Sequence, residues 1–230
     1  MSTPRMSRPV ALVTGASRGI GRAIALALSP THHVLVGGRD TDAIADVVRE
    51  LESAEPFVAD LTNEAAVTAA VAGIDRLDVL VHSAGAVAYG PLIDSTTAEW
   101  RELMELNVIA PATLTRLLLP ALRAAHGLVI FLNSGAGLTA NRGFAVYAAS
   151  KFALTALADA LRADERGRVR VTSIHPGRVA TDMQARLTSL EGMPYIPDAH
   201  LDPDDVARGV RLAVDLPPDA SLDALRINPV

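Results

Sequence analysis

The sequence predicts an α/β protein in which about seven parallel strands form one doubly wound sheet with helices on both faces. Two observations lead to this prediction. Short apolar runs alternate along the whole chain with longer helical patterns. The composition is 50% hydrophobic but only 3% aromatic, so the core must be built from Val, Leu, Ile and Ala. Such residues are typical of buried parallel strands and the helices that cover them. We find no internal repeat or linker, which predicts a single domain over residues 1–230.

The apolar runs give the predicted strands in order. They are 10–13, 33–37, 56–60, 77–81, 128–132, 169–174 and 225–227. Helical patterns lie between them, and the later ones are 63–72, 98–125, 147–165 and a helix opened by Asp202-Pro-Asp-Asp. Within 98–125, Pro111 should kink the helix or remove a hydrogen bond near Asn107.

Segment 182–201 departs from this alternation. It is apolar, shows no period and contains Gly192, Pro194 and Pro197, so it is predicted to be a loop. A long apolar loop at the carboxyl edge of a parallel sheet is a candidate lid over a substrate. The alternative is a loosely packed connection.

Charge and composition exclude several kinds of partner. The net charge is −5 with no long basic run, so nucleic acid is not an expected partner. The chain has no cysteine, and its six histidines show no ligand spacing, so we expect no metal site. Residues 1–9 are polar and predict no signal peptide. No uninterrupted apolar run approaches the roughly 18 residues of a membrane span, so a cytoplasmic protein is expected.

A glycine-rich turn follows the first strand. Thr14-Gly-Ala-Ser-Arg-Gly-Ile-Gly21 leads directly into a helical run, with the glycines spaced Gly-x3-Gly-x-Gly. A strand, such a turn and a helix N-terminus together offer free N–H groups and a positive dipole end to a dinucleotide pyrophosphate. The alternative interpretation is a plain tight turn.

Tyr147 and Lys151 form the clearest chemical pair. They are four residues apart on a predicted helix and therefore share a face. A nearby ammonium lowers the pKa of a phenol, and a phenol so adjusted can exchange a proton with a substrate oxygen. Ser134, at the end of strand 128–132, is placed to bond the same oxygen. Tyr and Lys at this spacing also occur by chance in many helices.

Taken together, these motifs resemble the short-chain dehydrogenase/reductases, specifically their single-domain oxidoreductases, over nearly the whole chain. The resemblance implies a Rossmann-like fold and a catalytic set of Asn107, Ser134, Tyr147 and Lys151. It also implies cofactor-binding positions at Gly15, Ser17, Arg18, Gly19, Ile20, Gly21, Arg39, Asp60, Leu61, Ser83, Ala84, Gly85, Tyr147, Lys151, Pro176, Gly177, Val179 and Thr181.

The sequence departs from the family pattern in two places. The family's usual Asn-Asn-Ala-Gly is here His82-Ser-Ala-Gly85, so the asparagine contacts must be replaced or lost. The C-terminus lacks the glycine-rich last strand of many relatives, which puts an oligomer contact through that tail in doubt.

The resemblance implies hydride transfer between a nicotinamide and a carbonyl or alcohol substrate. Tyr147 would be the acid or base, Ser134 would polarise the substrate oxygen, and Lys151 would lower the phenol pKa and bond the nicotinamide ribose. Asn107 would bend its helix to hold a water in a proton relay. One alternative is a sugar-nucleotide epimerase or dehydratase, which has a different glycine spacing and a larger C-terminal region. Another is a non-catalytic dinucleotide sensor or scaffold, whose usual mark is a broken Tyr-x3-Lys.

The expected cofactor is NADP(H). An NAD site usually has an acid at the tip of the second strand, but here that strand ends Gly37-Gly38-Arg39. Arg18 in the glycine turn is a second candidate for the 2′-phosphate. Asp40 is a complication, because a carboxylate there would repel a phosphate or favour NAD. Relatives pair through the two long helices, 98–125 and 147–165, so a homodimer or homotetramer is expected.

Overall fold

The computed structural model describes residues 8–230, so residues 1–7 of the polar start lie outside the described residues. The strands are β1 (Val10–Val13), β2 (His33–Gly38), β3 (Ala54–Val58), β4 (Val79–His82), β5 (Leu128–Leu132), β6 (Arg170–Pro176) and β7 (Ala224–Ile227). The helices are α1 (Gly19–Leu28), α2 (Thr41–Glu50), α3 (Glu64–Val71), α4 (Thr97–Met104), α5 (Ala110–Ala125), α6 (Ala145–Asp164), α7 (Asp182–Leu190) and α8 (Pro203–Val214).

All seven strands join one sheet in the order β3-β2-β1-β4-β5-β6-β7. Every pairing is parallel. This confirms the predicted α/β fold with a doubly wound, Rossmann-like sheet. The strand order reverses between β1 and β4, and in such sheets the crevice beyond the carboxyl ends at this switch point is where ligands bind.

The two faces of the sheet carry separate apolar cores. On one face, α1, α2 and α8 cover alternate strand residues such as Val13, Val36 and Val81. On the other face, α3, α5 and α6 cover Leu12, Leu80 and their neighbours. Both faces of the strands are therefore buried, which explains why the strands are continuous apolar runs without alternation.

Most predicted elements lie within two residues of the observed bounds. β1 and β5 agree with the predicted ranges, while β3 begins and ends two residues earlier than predicted. Helix α1 begins at Gly19, so the last part of the glycine turn is already its first turn. The prediction of a continuous loop over 182–201 is wrong in its first half, where Asp182–Leu190 is helical. Thr181 caps this helix by accepting from the Gln184 N–H at 3.2 Å, a start signal that outweighs the absence of a clean period.

The predicted helix 98–125 contains a local irregularity at the expected place. Residues Glu105–Ile109 form a π-helical turn between α4 and α5, and the Ala110 N–H donates to the Glu105 carbonyl five residues back. Pro111 has no N–H to offer the Asn107 carbonyl, so an α-helical bond is missing there. Asn107 lies inside this turn and is buried.

The stretch Thr97–Ala125 is long and apolar enough to cross a membrane by length and composition. In the fold, however, its residues Leu114, Leu118 and Leu122 are fully buried against the sheet. A core helix of a globular protein meets the same length and composition test.

Candidate active site

The turns after β1 and β4 are in direct contact at the switch point. The Thr14 hydroxyl donates to the Val81 carbonyl at 3.3 Å and accepts from the N–H groups of Ser83 and Ala84 at 3.1 and 3.2 Å. Gly15 has a φ of 64°, and a Cβ on it would lie 2.8 Å from the Ala84 Cα. Only glycine therefore allows the two turns to approach this closely.

The N-terminus of α1 opens from this turn. Its N-cap residue, Arg18, makes no side-chain cap bond, and its first turn contains no acid. The N–H groups and the positive dipole end are thus not neutralised by the helix's own side chains. The Ile20 side chain packs against the core, so only its backbone can face a ligand. This arrangement fits the pyrophosphate of a dinucleotide.

Arg39 follows β2 and is exposed at the same edge of the sheet. The neighbouring Asp40 is the N-cap of α2 and accepts from the N–H groups of Asp42 and Ala43, both at 3.1 Å. Its carboxylate is therefore bonded to its own helix. Beyond β3, hydrogen bonds from Thr62 lower the pKa of Asp60, and Arg39 contributes in the same direction.

Arg18 does not lie against Arg39 but faces the other side of the crevice. Its guanidinium is 3.9 Å from the carboxylate of Asp182 at the start of α7, and both side chains are about four-fifths exposed (80% and 82%). An exposed pair at this distance contributes little, on the order of a few tenths of a kcal/mol. The guanidinium is consequently only weakly held there.

Ser134, Tyr147 and Lys151 meet where β5 ends and α6 begins. Ser134 follows β5 directly, and its hydroxyl accepts from the Ala136 N–H at 3.1 Å. Lys151 is buried, with Nζ 5.8 Å from the centre of the Tyr147 ring. The predicted pair does share one face of a helix, and the serine lies beside it.

Burial shifts the two titrating groups in opposite directions. Desolvation raises the pKa of Tyr147, and interaction with the Ser134 hydroxyl partly opposes this. Desolvation also lowers the pKa of Lys151 to about 8. The expected lowering of the phenol pKa by Lys151 is not the net result here, because desolvation raises the pKa of Tyr147. The Lys151 Nζ donates to the Leu132 carbonyl at 3.0 Å.

Asn107 links the β4 connection to helix α6. Its side-chain oxygen accepts from the Ala86 N–H at 2.9 Å, and its amide donates to the Ala86 carbonyl and to the Ser150 hydroxyl, both at 3.0 Å. A Cβ built on Gly85 would lie 3.1 Å from the Asn107 Oδ1 and 4.0 Å from Lys151 Nζ. Asn107, Gly85 and Lys151 therefore surround one point of the crevice.

The connection after β6 borders the other side of the site. The Gly177 N–H donates to the Ile227 carbonyl at 2.7 Å, which fixes Pro176 and Gly177 to β7. The Val179 side chain belongs to the core, so only its backbone faces the crevice. Thr181 caps α7, and its methyl group would lie 3.3 Å from a Cβ on Gly19. The predicted positions 177–181 therefore lie next to the glycine turn.

His82, which replaces the family's usual asparagine, is a buried core residue. Its ring stacks on Phe131 with centroids 4.9 Å apart, and Nε2 bonds the Thr115 hydroxyl at 2.8 Å. Desolvation lowers the pKa of His82 to about 3. The backbone of Ser83 and Ala84 is held by Thr14 instead, so the turn keeps its position without the asparagine side chain.

Two aromatic residues beside Tyr147 were not identified from the sequence. The Phe144 ring lies 6.3 Å from the Tyr147 ring and 5.1 Å from that of Tyr89, centroid to centroid. Tyr89 is in the connection after β4, which is distant in sequence. A signal was available, because the chain has only eight aromatic residues and Phe144 precedes Tyr147 by one helical turn.

A glycine turn at the switch point of a doubly wound sheet, with Ser, Tyr and Lys at the next strand end, defines a dinucleotide-binding oxidoreductase. Comparison with known proteins agrees. Residues 9–192 match the short chain dehydrogenase family. An uncharacterised short-chain type dehydrogenase/reductase of Sinorhizobium fredii is 35% identical, over 96% of this chain and 91% of the relative. The chain belongs to the short chain dehydrogenase family.

Solved structures show the same fold. An alcohol dehydrogenase from the archaeon Thermococcus sibiricus, complexed with 5-hydroxy-NADP, superimposes with a TM-score of 0.88 at 26% identity over 97% of each chain. A metagenomic short-chain oxidoreductase in complex with NADP gives a TM-score of 0.82 at 33% identity over 98% of each chain.

We predict that His82→Asn makes the protein less sensitive to acid. His82 has an ordinary pKa near 6.5 when unfolded and about 3 when folded, so between these values the unfolded state binds one more proton. The free energy of unfolding should then fall with falling pH by about 1.4 kcal/mol per unit because of this residue alone.

The measurement is urea unfolding of both proteins at pH 7 and pH 5. The wild type should lose about 2 kcal/mol more than the variant between these pH values. Burial also lowers the pKa of His32 and His175, but they are present in both proteins and their effect cancels. Equal losses would show that His82 is not held neutral in the fold.

Proposed function

We propose that the protein is an NADP(H)-dependent oxidoreductase that transfers a hydride between the nicotinamide and a carbonyl or alcohol substrate, with Tyr147 as the acid or base. The observation that carries this proposal is the meeting of Ser134, Tyr147 and the buried Lys151 beside the glycine turn at the switch point. A phenol, a hydroxyl and an ammonium in one crevice are suited to managing a proton on a substrate oxygen.

The cofactor, when bound, supplies or accepts the hydride. The turn Gly15–Gly21 and the free N-terminus of α1 would hold its pyrophosphate. Arg39 and Arg18 would contact the 2′-phosphate, and Asp60 and Leu61 would contact the adenine. The backbone of Ser83–Gly85 would border the nucleotide. Tyr147 and Lys151 would meet the nicotinamide ribose, and Pro176, Gly177, Val179 and Thr181 would border the nicotinamide.

Three features support NADP(H) over NAD(H). Arg39 is exposed at the tip of β2, where an acid would be needed for the ribose 2′-OH. The Asp40 carboxylate is bonded to the N-terminus of α2, so its oxygens are less available to a ribose hydroxyl. The two similar solved structures described above carry NADP or an NADP derivative.

Tyr147 acts on the proton in this mechanism. Because burial raises its pKa, the phenol is protonated at neutral pH, which is the form required to donate to a carbonyl oxygen in reduction. In the reverse direction it must first lose that proton, so oxidation should be favoured at higher pH. The Ser134 hydroxyl, whose interaction with Tyr147 partly opposes the rise in its pKa, would bond the same substrate oxygen.

Lys151 and Asn107 would assist this proton transfer. Lys151 carries its charge below a pKa of about 8 and is fixed by the Leu132 carbonyl. Its ammonium would bond the ribose and favour the phenolate once the charge on Tyr147 develops. Asn107, held in the π-helical turn, would fix the connection after β4 relative to the turn of α6 that contains Ser150.

Segment 182–201 is still proposed as a lid, although its first half is helical. It begins as helix α7, and the Arg178 guanidinium bonds both carboxylate oxygens of Glu191 at 2.7 and 2.6 Å. Residue 201 is fixed as well, since Val179 and Leu201 form a parallel bridge. Both ends of the lid are therefore anchored, and only 192–200 lacks such support.

The helices of the fold cover one sheet, which supports the single-domain interpretation.

A homodimer or homotetramer is also part of the proposal. Leu114 and Leu118 on α5 face the sheet. Ile109, just before α5, is 47% exposed, and on α6 Phe152 is 44% exposed with the exposed Ala156 one turn further along. This apolar helical surface is what a second copy would cover.

A cytoplasmic location stays an expectation from the sequence.

We predict that Tyr147→Phe retains the fold and cofactor binding but loses turnover by about 10²–10⁴-fold. The phenol oxygen is the only atom removed, and its task is the proton transfer. Steady-state kinetics on a confirmed substrate give the test, with cofactor affinity and thermal unfolding as controls. Wild-type turnover in this variant would refute Tyr147 as the acid or base.

We predict that Arg39→Ala lowers the preference for NADPH over NADH by roughly tenfold, the effect of losing one charged hydrogen bond. Arg49→Ala is the matched control, because Arg49 is an exposed arginine in the last turn of α2 that pairs with Asp46. The ratio of kcat/KM for the two cofactors is measured in all three proteins. A wild type that favours NADH, or an unchanged ratio in Arg39→Ala, would contradict the assignment.

We predict a dimer or tetramer at micromolar concentration, and a shift of Ala156→Arg toward smaller species. The arginine would place a charge in the middle of the outward face of α6. Val58→Arg, at an exposed apolar residue on β3, is the control that should keep the wild-type state. Sedimentation velocity separates the species, and a monomeric wild type would rule the proposal out.

A further inference from the structure

The mouth of the site is bordered by apolar side chains. Thirteen large hydrophobic residues are exposed in the described chain, and eight of them lie in the connections after β4, β5 and β6. These are Leu92, Ile93, Leu138, Met183, Leu190, Met193, Tyr195 and Ile196. The three connections all leave the carboxyl edge of the sheet, which is where Tyr147 lies. Most exposed large hydrophobic residues of the described chain thus lie on connections that leave the same edge of the sheet as Tyr147.

Three aromatic rings form a continuous row at this mouth. The Tyr89 ring meets Phe144 edge to face at 5.1 Å and 65°, and Phe144 is 6.3 Å from the Tyr147 ring. Tyr89 and Phe144 are both partly exposed. In a chain that is only 3% aromatic, two of the seven other aromatic side chains are therefore gathered beside the proton donor, Tyr147.

The backbone is shaped to hold the Tyr89 ring in this row. The Gly90 N–H donates to the Gly143 carbonyl at 2.9 Å and joins the connection after β4 to the start of α6. Gly143 has a φ of 83°, and a Cβ on it would lie 2.5 Å from the Tyr89 Cε2. The absence of a side chain at residue 143 leaves the space that the ring occupies.

Two cations close to the row are already bonded within the protein. The guanidinium of Arg178 lies close enough to Tyr89 for the phenol to influence it, and it is bonded twice to Glu191. The Glu191 side chain is only 7% exposed. Lys151 donates to the Leu132 carbonyl. A substrate carboxylate or phosphate could bind Arg178 or Lys151 only by breaking these bonds, so neither cation favours a charged substrate.

We infer that Tyr89 and Phe144 form the substrate wall of the site and select an uncharged carbonyl compound that bears an aromatic ring, with Tyr89 as the specificity-determining residue. This inference rests on the proposed function. A flat ring bound against the row would meet a ring face or edge, a contact that an aliphatic ring of the same size cannot make. It would also cover part of the exposed apolar surface.

The test compares acetophenone with cyclohexyl methyl ketone, which has a similar shape but no aromatic ring, and with pyruvate, which is charged. The ratio of kcat/KM for acetophenone to that for the cyclohexyl ketone should exceed one in the wild type. Tyr89→Leu should lower this ratio between about twofold and tenfold, the range that a ring contact supplies, through KM more than kcat. Tyr89→Phe retains the ring and should retain the ratio.

A second variant distinguishes the loss of the ring contact from a local folding defect caused by Tyr89→Leu. Gly143→Ala leaves Tyr89 intact but displaces its ring, so it should lower the same ratio. Circular dichroism and thermal unfolding check both variants. An unchanged ratio in Tyr89→Leu and Gly143→Ala, or a wild type that prefers pyruvate, would overturn the inference.

Binding measured without turnover separates this inference from the proposed function. Titration calorimetry of Tyr147→Phe with NADP, using the same ketones, should show tighter binding of acetophenone and loss of that preference when Tyr89→Leu is added. If the wild type reduces no carbonyl but this binding preference is present, the proposed function fails and the wall stands. If binding shows no preference for the aromatic ketone, the wall is refuted whatever the activity.

Discussion

The site depends on the close approach of the turns after β1 and β4. One hydroxyl, that of Thr14, accepts two backbone N–H groups from the second turn while donating to the strand that precedes it. Gly15 leaves no side chain between the turns. Because the strand order reverses here, this junction sets the floor of the crevice, and every predicted functional residue is placed relative to it. The replacement of the usual asparagine by His82 is tolerated because the backbone hydrogen bonds at this junction do not use that side chain.

The second constraint is the position of α6 against β5. Lys151 is anchored to the Leu132 carbonyl, and Ser150 is bonded by Asn107 from the neighbouring helix. Asn107 can reach both the β4 connection and α6 because the π-helical turn displaces it from a regular helical position. Pro111 removes the donor that would otherwise favour a regular helix there. A backbone irregularity thus supports the placement of the candidate catalytic side chains.

The sheet and its order of elements could be predicted from the sequence, and the residues predicted for the site lie along one edge of that sheet. Parallel strands are short and apolar, and the glycine turn and Tyr-x3-Lys are local patterns that can be read directly from the chain. Helix α7 was missed because its cap, Thr181, was assigned to the cofactor and its apolar residues show no clean period. The partners of His82 and the row from Tyr89 to Tyr147 depend on contacts between residues far apart in sequence. No local pattern encodes the distance from Tyr89 to Phe144 or the direction in which the Lys151 ammonium points.

Desolvation is the main cause of the pKa shifts of both Tyr147 and Lys151. Removing water disfavours charge, so the pKa of Tyr147 is raised while the pKa of Lys151 is lowered to about 8. Near neutral pH the phenol therefore retains its proton and the amine is still cationic. A phenolate that forms as the proton leaves would appear beside that cation and the Ser134 hydroxyl, in surroundings with little water to screen the attraction. The same burial that makes Tyr147 a weak acid at rest thus strengthens the groups that would stabilise its conjugate base, and an aromatic substrate covering the mouth would increase this effect by excluding more water.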